Sequence, residues 1–239
     1  MSEIERWIER LTGEFDTAGI ADATVVLHGS AARDQYLPGW SDVNLLILLD
    51  QLGPEVLDRL RPALTRWQAD ANAVPLLFTR AEWARAADAY PLEIAEMQTG
   101  YRVIRGADPL AGVEVRPEDL RLALERELRG KLLRLRQGYA LHGDRPEALA
   151  EGSRQGISSL LVVLRGVLLL AGRTPPLDPS ELVAAAADAV GFKPAPLARV
   201  VTRRLQADWR LSREEFAGLL GAVEAAARFV DHFTHGEAS

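Results

Sequence analysis

Residues 25–49, VVLHGSAARDQYLPGWSDVNLLILL, are the stretch that decides how the chain reads. They spell an apolar strand, a Gly29-Ser30 turn, a short loop, and a second apolar strand introduced by Asp42. Gly29-Ser30 falls where a backbone must approach something closely. A strand that ends in Gly-Ser at the start of a helical turn sets backbone N–H groups before an anion, and the partial positive charge of a helix start suits phosphate. Ser30 adds a hydroxyl donor, and Arg33 and Ser41 are further candidates for phosphate contact. Strand side chains alternate, so positions 42 and 44 share a face. Two carboxylates there would hold Mg²⁺ against a triphosphate. The chain places Asp42 and Asn44 at those positions, so one carboxylate is replaced by an amide.

Working outward, the first half alternates helix and strand. Ile4, Trp7, Ile8 and Leu11 share one face of a helix over residues 3–17. Strands are expected at 24–27, 43–49, 74–78 and 101–104, with a short helix or turn over 30–36. The 43–49 strand is apolar on both faces and reads as central and buried. A helix through about residue 70 follows Gly53-Pro54, and Thr79 with Glu82 has the capping-box spacing. Such alternation implies an α/β domain, placed at residues 1–115.

Beyond residue 115 the strand pattern stops. Leu120, Leu124, Leu128, Leu132, Leu135 and Tyr139 form the apolar stripe of a long helix over 118–142. Further helices are expected at 147–171, 179–190, 196–209 and 212–234, separated by prolines. Residues 116–239 therefore read as an all-α helical bundle.

The chain's 239 residues carry a formal net charge of -6, which argues against broad nucleic-acid binding. There is no cysteine, which excludes disulfides, thiolate metal sites and cysteine nucleophiles. The acidic, amphipathic start is unlike a secretory signal, and the most apolar run, 160–171, is too short and broken to span a bilayer. A cytoplasmic protein with no membrane partner is expected.

The run LHGSAARDQYLPGWSDVNLLIL resembles the signature of the nucleotidyltransferase fold typified by aminoglycoside adenylyltransferases, the kanamycin nucleotidyltransferase and the minimal nucleotidyltransferases. That signature is an apolar strand, Gly-Ser, about ten residues, then Asp-x-Asp on the next strand; Gly29, Ser30 and Asp42 match it. PLEIAE (91–96), YRVIRGADPL (101–110) and LERELRGKLLRLRQGY (124–139) resemble a bacterial group with this fold. The resemblance implies a small mixed sheet with flanking helices, an all-helical second domain, NTP as ligand and Mg²⁺ as cofactor. It also implies catalysis at Asp42 and metal contacts at Asp42 and position 44. Two departures stand out. The second acid falls on Asn44, and the third-acid strand, AVPLLFT (73–79), has none. With one of three carboxylates left, Mg²⁺ would be held weakly. Glu93 and Glu96 are the candidates for a substitute ligand or base.

Plainer readings stand beside these. Gly29-Ser30 is also an ordinary capped turn, Asp42 a solvated acid, and Asn44 a buried amide satisfying backbone groups. Arg121, Arg126, Arg129, Lys131, Arg134 and Arg136 would either meet phosphates or lie on a solvated face in i,i+4 pairs with Glu125 and Glu127. His232 and His235 beside Asp231 have metal-ligand spacing at a chain end. The leading expectation is a nucleotide- or anion-binding protein of this fold with impaired or absent transfer. The alternatives are an active enzyme moving a nucleoside monophosphate from NTP to a hydroxyl of a small molecule or protein, and a non-catalytic interaction or regulatory module. A protein partner or a homodimer is compatible with each.

Overall fold

The computed structural model describes residues 2–38, 41–206 and 208–233, apart from the side chain of Gln155. The chain divides into two compact units, Met1–Ala89 with Met97–Glu114, and Tyr90–Glu96 with Val115–Ser239.

In the first unit, α1 (Glu3–Thr17) starts at a full capping box between Ser2 and Glu5. Its buried stripe is Ile8, Leu11 and Phe15. Then come β1 (Thr24–His28), a 3₁₀ turn (Gly29–Ala31), β2 (Asn44–Leu49), α2 (Pro54–Ala71), β3 (Leu76–Thr79), the single turn α3 (Arg80–Trp83) and, further on, β4 (Tyr101–Arg105). The strands lie in the order β3-β2-β1-β4. β1 runs antiparallel to β2 and to β4, while β2 and β3 are parallel, so the sheet is small and mixed. The parallel pair needs a crossover, and α2 supplies it.

β2 has a neighbour on each side, and Leu45 through Leu49 are all at most 3% exposed, which is why its sequence is apolar on both faces. Leu45, Ile47 and Leu49 join Val25 and Leu27 against Phe15 of α1 and Leu60 and Trp67 of α2. Each such side chain contributes on the order of 1.5–3 kcal/mol on burial. The alternation of β2 leaves Asn44, Leu46 and Leu48 on the opposite face, with His28 paired to Asn44 at its end.

α4 (Pro91–Gln98) is an element that hydropathy periodicity does not mark. Leu92, Ile94, Ala95 and Met97 are all buried, so apolar residues surround this short helix and leave no one-sided stripe to recognise. In the second unit, α5 (Pro117–His142), α6 (Pro146–Leu170), α7 (Pro179–Val190), α8 (Pro194–Arg203) and α9 (Arg213–His232) enclose one apolar core. α5 to α8 each open on proline, whose missing N–H costs nothing at a first helical position. For the same reason α8 begins at Pro194 rather than at 196, with Pro196 inside its first turn. It stops at Arg203, where Gln206 N–H turns back to the Arg203 carbonyl, rather than at 209.

α6 bends by 51° between Pro146–Arg154 and Gly156–Leu170. The glycine-serine run Gly152, Ser153 and Gly156 is the cause, since such pairs weaken the helical ladder. Among the described residues no single helix is long and apolar enough to cross a membrane.

Candidate functional site

Gly29 ends β1 in the left-handed region, with φ of +76°. A Cβ built there would stand 3.3 Å from the Asn44 Nδ2 atom. The close approach read from the sequence is therefore an approach to the first side chain of β2. The amides of Ser30 and Ala31 open the 3₁₀ turn, where the leading N–H groups have no partner within the turn. The turn is tightened from behind, because the Ser30 carbonyl accepts from the N–H groups of both Arg33 and Gln35.

Arg33 is half-buried, and its guanidinium donates to Thr99 Oγ1 at 3.0 Å. Its stem lies against Gly100, so close that a Cβ on Gly100 would meet Arg33 Cγ at 2.5 Å. The side chain ties the Gly-Ser turn to the start of β4. Ser41 accepts from Leu37 N–H through its hydroxyl at 3.1 Å and donates its own N–H to the Leu37 carbonyl at 2.8 Å. It closes the loop ahead of Asp42.

Asp42 is exposed, and its carboxylate accepts from Asn72 Nδ2 at 2.8 Å. Asn72 is the left-handed cap of α2, with φ of +53°. The backbone follows the same path, since Val43 N–H donates to the Ala71 carbonyl at 3.1 Å. The end of α2 therefore fixes the entry to β2. Tyr36 belongs to this neighbourhood too. Burial pushes its phenol above the ordinary range, and the negative fields of Glu3 and Asp42 add to the shift. Asn72 and Tyr36 lie outside the signature stretch's recognised positions: an asparagine just past a helical pattern is a helix-stop signal, which Asn72 fits, and no sequence signal marks Tyr36.

The register shows what β3 offers beside this site. Leu46 pairs with Leu76, so Leu76 shares the face of Asn44 and Leu46. Leu76 is 37% exposed, and Val74 just before the strand is 62% exposed. Apolar side chains stand in partial solvent along the strand where a third acid was expected. Mg²⁺ takes oxygen ligands in near-octahedral order and is usually held by one or two carboxylates together with substrate phosphates. Around the start of β2 the donors are one carboxylate, already engaged by Asn72, and one amide against Gly29. Among the described residues no group of three or more His, Asp or Glu is placed to hold a metal ion. One carboxylate and one amide make a poorer donor set for Mg²⁺ than the acids the resemblance implies.

Glu93 and Glu96 lie on α4 within the second unit, Glu93 exposed and Glu96 8% exposed. The basic residues of α5 are largely engaged inside their own unit. Arg121 and Arg129 flank Glu125, Arg129 also reaches Asp231, and Arg136 pairs with Glu224. Lys131 departs from the solvated-face reading, being 7% exposed and bonded to Ser159 rather than paired on the surface. His232 Nδ1 contacts the Arg228 carbonyl, and His235 lies outside the described residues.

Residues 8–84 match the nucleotidyltransferase domain family. A structural likeness extends over 95% of this chain and 99% of a spectinomycin adenyltransferase, AAD(9), from Enterococcus faecialis, solved with ATP and spectinomycin. The TM-score is 0.59 at 12% sequence identity, so the likeness is one of fold. No curated protein matches the chain in sequence.

Proposed function

On the premise that the chain is a member of the nucleotidyltransferase-fold superfamily, we propose that it binds a nucleoside triphosphate, or a related phosphate-bearing small molecule, with impaired or absent transfer. Gly29 and Ser30 receive the phosphates, and Arg33 and Ser41 hold the loop around them in shape. The observation that carries this reading is the start of β2, where Asp42 is tied to Asn72 and Asn44 stands as an amide against Gly29. An amide offers an oxygen but no charge. Without a bound cation, Asp42 repels a triphosphate instead of bridging to it.

A second reading is a working transferase, with Glu93 or Glu96 as base and a hydroxyl of a small molecule or protein as acceptor. It draws on the breadth of the likeness to a protein solved with ATP and spectinomycin. Calorimetric titration of ATP with and without Mg²⁺ separates the two. The proposed reading expects ATP affinity to change by no more than about threefold between the two conditions, well under 1.4 kcal/mol. ATP binding that requires Mg²⁺ and disappears in Asp42→Ala would overturn it.

A further inference from the structure

Within the helical unit, α5, α6 and α9 leave a cavity of about 320 Å³. That volume sits at the low end of small-molecule sites, roughly 300–1,000 Å³. Leu135, Leu149, Ile157, Leu160 and Phe216 are among its apolar walls. The residues on either side of the bend in α6 are part of its wall. Gly138, Gly152 and Gly156 line it, and a Cβ on any of the three would meet nothing within 4 Å. Glycines inside helices are costly relative to alanine. Here they leave open space on the side where the cavity lies.

One charged side chain is buried in the wall. Lys131 is 7% exposed, and its Nζ donates to Ser159 Oγ at 2.6 Å. Ser159 in turn donates to the Gly156 carbonyl at 3.0 Å. An ammonium carries three donors, and Ser159 takes one. Among the described residues no carboxylate lines the cavity, whereas Arg134 and His142 do. Burial lowers the Lys131 pKa, Glu127 one turn earlier on α5 opposes that, and Arg134 adds to it. A buried charge is stable when paired and hydrogen-bonded, and among the described residues this lysine has the hydrogen bond without an ion pair.

We propose that this cavity binds a small apolar molecule ending in a carboxylate, its chain among the leucines and Phe216 and its anionic end on the Lys131 ammonium. Every lining residue belongs to the helical unit. The ligand chemistry follows from the two parts of the wall. Apolar side chains set a short hydrocarbon body, and the Lys131 ammonium, with no carboxylate among the described lining residues, sets the sign of its end.

The test is a calorimetric titration of the full chain with three matched probes, octanoate, octanol and octylamine. Octanoate should bind at least about tenfold tighter than the other two, a difference of 1.4 kcal/mol. Lys131→Met should remove that preference. Gly156→Leu, which keeps Lys131 and puts a bulky side chain into the open space beside Gly156, should abolish binding of all three, and its circular dichroism and melting profile check that it folds. Equal affinity for the three probes would overturn the assignment of charge. Octanoate binding that survives in folded Gly156→Leu would overturn the assignment of place.

Discussion

Gly29 meets two demands at once, a positive φ of 76° and a neighbour 3.3 Å from its absent Cβ. Gly29→Ala is expected to cost about 1–2 kcal/mol from the left-handed backbone alone. The crowding against Asn44 adds to it. Combining it with Asn44→Ala should recover the contact part and leave the backbone part, a coupling that urea denaturation of the double-mutant cycle measures. Asp42 provides a second test at this scale. Asp42→Asn removes a negative charge beside the proposed phosphate site, so ATP should bind more tightly in the variant, by a few-fold. In a working metal site the same change would weaken it. Asn72 separates shape from bonding: Asn72→Gly keeps the left-handed cap and loses the bond to Asp42, whereas Asn72→Ala loses both and should be the less stable of the two by about 1 kcal/mol.

At the scale of elements, the pattern is legible in the sequence where apolar residues form a one-sided helical stripe or a short unbroken run. α1 was placed from Ile4, Trp7, Ile8 and Leu11, and it spans Glu3–Thr17 as expected. β2 was placed as the central strand from its unbroken run of apolar residues, and it has a strand on both sides. What is not legible carries neither signal. α4 is apolar nearly all round, and Lys131 looks in sequence like any basic residue on a charged helix. The partner of Asp42 comes from the far end of α2, and no local spacing announces a contact between residues 42 and 72. Capping boxes, by contrast, were local and legible. In α9, Ser212 Oγ accepts from Glu215 N–H at 3.1 Å and Glu215 accepts from Ser212 N–H at 3.0 Å. Ser212→Ala should cost about 1 kcal/mol in thermal or urea stability.

The buried carboxylate of that box makes stability depend on pH. Burial opposes the Glu215 charge, but hydrogen bonds from Ser212 and the charge of Arg203 at 3.1 Å outweigh it and hold the carboxyl below the usual range. A lowered folded value means the stabilisation is present above the unfolded glutamate value, about 4.3, and is lost as pH falls through the folded one. Glu215→Gln should be less stable than the parent at pH 7 and should lose less stability on acidification. Urea midpoints across the acid range check both.

At the scale of the whole molecule, a nucleotidyltransferase-fold unit built on a mixed sheet is joined in sequence to an all-α unit with a core of its own. The fold could be read from sequence because it is written in hydropathy and in Gly29, Ser30 and Asp42, all within a short stretch. Activity is a separate matter, because chemistry depends on which few groups converge, and at the start of β2 the convergence is Asp42 with Asn72 and Asn44 with Gly29. The most direct test is to incubate the full chain with α-labelled NTPs, Mg²⁺ or Mn²⁺, and acceptors including aminoglycosides and candidate proteins, beside an Asp42→Ala control. The account predicts bound nucleotide with no acceptor labelled above that control. Robust labelling that vanishes with Asp42→Ala would contradict it.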